Sequence, residues 1–264
     1  MIYIIIFIVI ALVFPLKNFT EKYTSNKFDS RIFADDPEKA LKYTMRFLKK
    51  SPTDYVYNNQ VAYCFIQLGR VNEAIDYLEK AIIVEPENEN AALNNMAWAY
   101  YELGDDNKCL HYCDLSLSKD PSDKWTLVNK ANALLRQGKL EEANTHYDNS
   151  LLIDDNFSTA LYGKALCCSH LEDYDNAILY YKKYCLIKPN DLDALFGLSN
   201  ALLSKDNYEE TIEIYDKILA ANKNLLRIYC DKADALGYIG KFEEALSSLD
   251  TALSIDSKYA LAYY

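Results

Sequence analysis

Glycine and proline are scarce, with 7 and 6 copies in 264 residues. Both interrupt regular structure, glycine through its backbone freedom and proline through its missing N–H. Their scarcity favours helices joined by short turns. Basic charge is also in short supply: 28 Lys and Arg face 39 Asp and Glu, for a formal charge of −11. A phosphate-binding surface needs clustered Lys and Arg, and no such block occurs, which argues against nucleic acid as a partner. A basic or apolar peptide suits the balance better, although acidity also simply keeps a chain soluble. No CxxC pair is present. The seven cysteines (Cys64, Cys109, Cys113, Cys167, Cys168, Cys185 and Cys230) are odd in number and mostly fall inside helical patterns. This points to buried free thiols in a reducing compartment. Neither GxGxxG nor GxxxxGK[ST] occurs, so no nucleotide loop and no cofactor is implied. What is present is half hydrophobic and one quarter charged, a composition that folds.

One long apolar run stands at the start, IYIIIFIVIALVFPL over residues 2–16, with Pro15 near its end. A membrane-spanning helix needs about 20 apolar residues, with a lower limit near 17. A secretory signal needs a basic start and a small-residue cleavage site, and neither is found. Lys17, Lys22, Lys27 and Arg31 follow the run, and the positive-inside tendency places that side in the cytoplasm. The expectation is an N-terminal membrane anchor with cytoplasmic repeats. A signal segment and export, or a soluble cytoplasmic chain, are the alternatives.

The dominant signal is self-similarity at a nearly constant period of about 34 residues. Pro52, Pro86 and Pro121 follow one another at that spacing, and Pro189 lies two such steps beyond Pro121. Each ends a similar word: LEKAIIVEPEN, CDLSLSKDPSD, YKKYCLIKPND, with YDNSLLIDDNF, YDKILAANKNL and LDTALSIDSKY in the same register without the proline. Half a period upstream stand Gly69, Gly104, Gly138 and Gly240, or Glu172 and Asp206 in their place. A tight turn between helices requires such residues, because φ can become positive there. Between turns the apolar spacing is helical. Ala62, Ala97, Ala131, Ala165, Ser199 and Ala233 are uniformly small, as are Ala74, Ala143, Ala177 and Ala245, with Cys109 and Thr211 slightly larger. These are places where two helices approach closely.

The period, the small residue of the first helix, the Gly turn, the Ala of the second helix and the closing Pro together resemble the tetratricopeptide repeat (TPR) family. The family's early Trp is absent; Asn58, Leu93, Leu127, Leu161, Leu195 and Tyr229 stand there. The resemblance implies an all-α fold, a right-handed superhelical solenoid of antiparallel helix pairs, preceded here by the N-terminal apolar helix. With the apolar run, the expected organisation is residues 1–20 as anchor or signal segment, 21–54 as linker and degenerate first repeat, and 55–264 as six full repeats plus the start of a seventh. The full repeats start near Tyr55, Asn90, Lys124, Ser158, Leu192 and Leu226. The start of a seventh at Ala260 would leave a packed face open, so the chain is either a fragment or covered there by a partner.

The resemblance further implies a concave groove lined by first helices. The residues it places there are Asn59, Tyr63, Asn94, Asn95, Trp98, Trp125, Asn129, Asn132 and Tyr162, with Arg136, Phe196, Asn200 and Asp231 among others. Asn both donates to and accepts from a peptide backbone, and aromatics add contact area at small entropic cost. The amides Asn95 and Asn129 beside Trp98 and Trp125 suit an extended peptide; alternatively the aromatics pack between repeats. A clamp for a C-terminal carboxylate, known in chaperone-binding members, needs Lys and Arg where Asn59, Tyr63, Asn95, Trp125 and Asn129 stand, and is rejected.

Metal and catalytic readings fare poorly. Cys109 and Cys113 share a helix face, but His111 points away from it, so three ligands do not converge. Cys167, Cys168 and His170 lack an oxyanion donor or a defined acid partner. The expectation is a non-enzymatic scaffold that binds a protein or peptide. The alternatives are the adaptor part of a larger enzyme truncated at Tyr264, or an exported assembly factor.

Overall fold

The computed structural model describes residues 36–84 and 89–258. The apolar run over residues 2–16, Pro86 and the segment from Tyr259 onward lie outside these residues. Among the described residues there are helices and no strands. The chain divides into two compact units, Met1–Leu103 and Gly104–Tyr264. The first holds α1 (Pro37–Leu48), α2 (Tyr55–Gln67), α3 (Val71–Val84) and α4 (Asn90–Glu102). The second holds α5 (Asp106–Lys119), α6 (Lys124–Arg136), α7 (Leu140–Ile153), α8 (Ser158–His170), α9 (Tyr174–Ile187), α10 (Leu192–Leu203), α11 (Tyr208–Ala221), α12 (Leu226–Tyr238) and α13 (Phe242–Ile255).

Local chemistry starts and stops these helices. Asp36, Asp54, Asp105, Asp123, Asp173, Asp191 and Asn207 each accept a backbone N–H of the first turn. A cap of this kind contributes about 0.5–2 kcal/mol. Second helices open with carboxylates, such as Glu73 on α3, Glu141 and Glu142 on α7 and Glu209 on α11, where the helix dipole favours negative charge. First helices end in a left-handed turn. Gly69 takes φ +72°, and the Arg70 amide then returns to the Phe65 carbonyl at 2.8 Å. Lys139 to Leu134, Asp173 to Cys168, Asn207 to Leu202 and Lys241 to Leu236 repeat that bond at 2.9–3.0 Å. Glu172 (φ 60°) and Asp206 (φ 54°) adopt the glycine conformation without being glycine.

Within each unit, consecutive helices pack side by side, and first helices also touch first helices: α2 meets α4, α6 meets α8 and α8 meets α10. The small residues lie at these contacts. Ala62, Ala97, Ala131 and Ala165 are fully buried, and so are Ala74, Cys109, Ala143, Ala177 and Thr211. On α3, Ala74, Leu78 and Ala81 form one buried stripe at intervals of four and three. Two buried hydroxyls bond to the neighbouring helix: Ser150 donates to the Lys124 carbonyl at 3.1 Å, and Ser248 to that of Tyr229 at 3.0 Å.

Left-handed backbone costs a non-glycine residue about 1–2 kcal/mol. Glu172→Gly is therefore expected to raise the urea midpoint by the equivalent of about 1 kcal/mol, and Gly138→Glu to lower it by a similar amount.

Candidate peptide-binding face

In the first unit α2 and α4 run beside each other and bring four of the expected residues together. The Asn95 amide donates to the Asn59 side-chain oxygen at 2.9 Å. One turn further along, the rings of Tyr63 and Trp98 meet with centroids 5.4 Å apart. Gln67 donates to the Tyr63 hydroxyl at 3.0 Å, and the Trp98 indole N–H donates to Glu102 at 2.9 Å. Burial raises the Tyr63 hydroxyl pKa, so it remains a neutral donor and acceptor. All four residues are half-buried, as is Asn94 beside them. The Asn95–Asn59 bond uses one donor and one acceptor of groups that each offer more. The face is thus an amide rung beside an aromatic pair, and the aromatic pair also cements neighbouring first helices.

The second unit treats its candidates differently. Trp125, the second residue of α6, is 54% exposed, and its ring stands edge-on to the buried Phe157 at 4.5 Å. Lys124 packs over the Phe157 ring and pairs with Asp154. Asn129 is half-buried one turn beyond Trp125, and its backbone carbonyl accepts from the Cys109 thiol. The Asn132 side-chain oxygen accepts from the hydroxyl of Tyr147, a fully buried residue of α7. Tyr162 packs against Tyr184 and Tyr181 of α9, with centroids at 5.3 and 6.1 Å. Asn132 and Tyr162 are therefore engaged with tyrosines of second helices. Arg136 is paired with Asp106.

These second-helix tyrosines are the residues that reading the repeat positions missed. Tyr147 and Tyr181 press on Gly163 and Gly197, where an added Cβ would lie 2.4 Å from the ring. Gly163 and Gly197 occupy the sixth position of α8 and α10, the place held by Asn95 in α4 and Asn129 in α6. Where the preceding second helix has Leu78 or Cys113, the sixth position carries an amide; where it has Tyr147 or Tyr181, the amide is replaced by glycine and the phenol fills the space, whereas Tyr215 is followed at that position by Asp231. The signal lay in the sequence as two mid-helix glycines, each following a tyrosine at the same spacing. Burial pushes the Tyr181 hydroxyl up to about 12.

The thiols show no sign of activation. All seven are free and six are buried. Burial pushes Cys64 up to about 12 and Cys168 up to about 11, and raises Cys167 and Cys230. The neighbouring Cys109 thiol, ahead of desolvation, raises Cys113. A raised pKa suppresses the thiolate that nucleophilic or metal chemistry requires. Among the described residues no group of three His, Cys, Asp or Glu is arranged to hold a metal.

Two family models described as tetratricopeptide repeat match residues 55–88 and 128–191, and one described as anaphase-promoting complex, cyclosome, subunit 3 matches residues 170–252. The chain is a tetratricopeptide repeat protein. Solved structures agree on the fold. YrrB, described as a TPR protein with an unusual peptide-binding site, is 20% identical at a TM-score of 0.62, over 70% of this chain and 95% of that one. The Cut9–Hcn1 hetero-tetramer of the APC/C gives 15% and 0.67, over 89% of this chain but only 46% of that one. MamA from Desulfovibrio magneticus RS-1 gives 17% and 0.57, over 65% and 97%. No curated protein sequence is a significant match.

The tyrosine–glycine contact in this TPR array is open to direct measurement. Overpacking costs about 1–3 kcal/mol, more than the roughly 1 kcal/mol that alanine gains over glycine in a helix. Gly163→Ala is expected to lower stability in urea unfolding, and to lower it less in a Tyr147→Leu background. Gly237→Ala, whose added Cβ meets nothing within 4 Å, is expected to stabilise.

Proposed function

We propose that the chain is a non-enzymatic scaffold that holds a peptide or partner protein against the faces of its first helices. The observation that carries this is the Asn59–Asn95 rung beside Tyr63 and Trp98 in the first unit. Side-chain amides with spare donors and acceptors suit a peptide backbone, and a flanking indole supplies apolar contact at low entropic cost. Asn94 extends the same face. Trp125, Asn129, Asn132 and Tyr162 extend the reading to the second unit, where Trp125 is the exposed anchor. The description of YrrB as having a peptide-binding site gives support from a protein of the same fold. The family match over residues 170–252 favours a second reading, in which the array is a subunit or adaptor of a larger assembly.

The membrane tether is part of the proposal. It rests on the apolar run 2–16 and the basic residues after it, with the repeats on the cytoplasmic side. Among the described residues no helix is long and apolar enough to cross a membrane, so residues 2–16 would have to supply the attachment.

Peptides selected from a displayed library on the full chain are expected to bind Asn95→Ala/Trp98→Ala at least about tenfold more weakly, with helicity unchanged. Equal binding would place the peptide elsewhere. In fractionated cells the full chain is expected to stay with membranes through alkaline carbonate washing, and a chain lacking residues 2–16 to be released. Release of both would remove the tether.

A further inference from the structure

The second unit carries a repeated ion pair that straps three of its four first helices to the second helix before it. Lys130 pairs with Asp114 at 2.7 Å, Lys164 with Asp148, and Lys232 with Asp216 at 2.5 Å. Each lysine is the seventh residue of its helix, and its aspartate precedes it at the same sequence separation every time. One step of the series is reversed. Where the lysine is due, α10 has Leu198; where the aspartate is due, α9 has Lys182. Leu198 makes no ion pair, and Lys182 turns instead to Glu210 on α11 at 2.6 Å.

The seam that this strap would cross lies open as a cleft of about 930 Å³ between α9, α10 and α11. Leu195 and Leu198 form its floor, and Ile214, Ala220 and Ala221 its α11 side. Its charged lining consists of Lys182, Lys183 and Lys217 against Glu210 alone, a local reversal in a chain of net charge −11. On the outer surface of α9, Leu179 (45% exposed) and Leu186 (86% exposed) bracket the two lysines. Among the described residues no other second helix combines these features: the position of Lys182 is Glu79, Asp114, Asp148, Asp216 or Asp250 in the others. Exposed leucine in such a setting marks a docking surface, and the basic rim selects the sign of the partner.

We infer that this cleft docks an acidic amphipathic helix of a partner protein. The helix lays its apolar ridge between α9 and α11, against Leu179 and Leu186, and its carboxylates meet Lys182, Lys183 and Lys217. The concavity favours a helix, because apolar residues at i, i+4 and i+7 form a ridge that enters a groove between helices. A flat bilayer would touch Leu186 and leave the floor unfilled. The cleft opens between two second helices, with the first helix α10 only at its floor, and shares no residue with the Asn59–Asn95 face proposed above.

The test titrates the full chain into a fluorescein-labelled helical peptide of about 18 residues, long enough to span the cleft, with leucine at i, i+4 and i+7 and glutamate on both flanks. The same peptide with lysine for glutamate serves as the comparison. The acidic peptide is expected to bind at least about tenfold more tightly than the basic one. Lys182→Glu with Lys183→Glu is expected to lose that binding. Leu198→Lys with Lys182→Asp, which installs the strap found in the sister repeats, is expected to lose it too while keeping the helical content, and Asn95→Ala/Trp98→Ala is expected to leave it intact. Equal affinity for both peptides, or binding retained by both cleft variants, overturns the inference. So does binding to phosphatidylserine vesicles that the cleft variants abolish in the absence of peptide binding, which would assign the surface to a membrane.

Discussion

Two helices approach closely only where neither carries a large side chain at the crossing, and this array depends on meeting that condition in every repeat. Ala62, Ala97, Ala131, Ala165, Ser199 and Ala233 meet it in the first helices, and Ala74, Cys109, Ala143, Ala177, Thr211 and Ala245 in the second. The left-handed turns depend on it as well, because a turn of fixed geometry helps only if the helices it joins can close on each other. With the spacing fixed at these points, other positions are free to change, and the chain uses that freedom on its surfaces.

Two such substitutions have a steric or electrostatic origin. At the sixth position of the first helix, an amide gives way to glycine at Gly163 beside Tyr147 and at Gly197 beside Tyr181. At the seventh position of the second unit's first helices, a lysine reaches back to an aspartate, except at Leu198, where the partner position holds Lys182. The first change replaces carboxamide with phenol on the faces of α8 and α10. The second opens a basic, leucine-edged cleft on the second helices. Neither disturbs the small-residue contacts, and the fold carries both changes.

The period, the turn residues and the small-residue positions were legible in the sequence because each answers to a single local requirement. A positive φ selects glycine at Gly69, and a close crossing selects alanine at Ala62. The helix starts at Tyr55, Lys124, Ser158 and Leu192 were legible for the same reason, since turn residues and periodicity agree there. The side-chain pairing on the first-helix face was only partly legible. Repeat position places Asn59 and Asn95 on one face, but says nothing of the hydrogen bond between them. It also hides the reach of Tyr147, which comes from a second helix and takes the side-chain oxygen of Asn132. Long side chains cross the boundary between helices, and a periodic reading assigns each residue only to its own.

Hydrogen exchange in the full chain, with and without a peptide selected on it, tests the central claim most directly. If first helices hold the peptide, slowed exchange appears in the amides of residues 55–67 and 90–102, while residues 71–84 remain as in the free chain. Protection confined to residues 71–84, or to other second helices, would contradict the account and move peptide binding to the opposite side of the repeats.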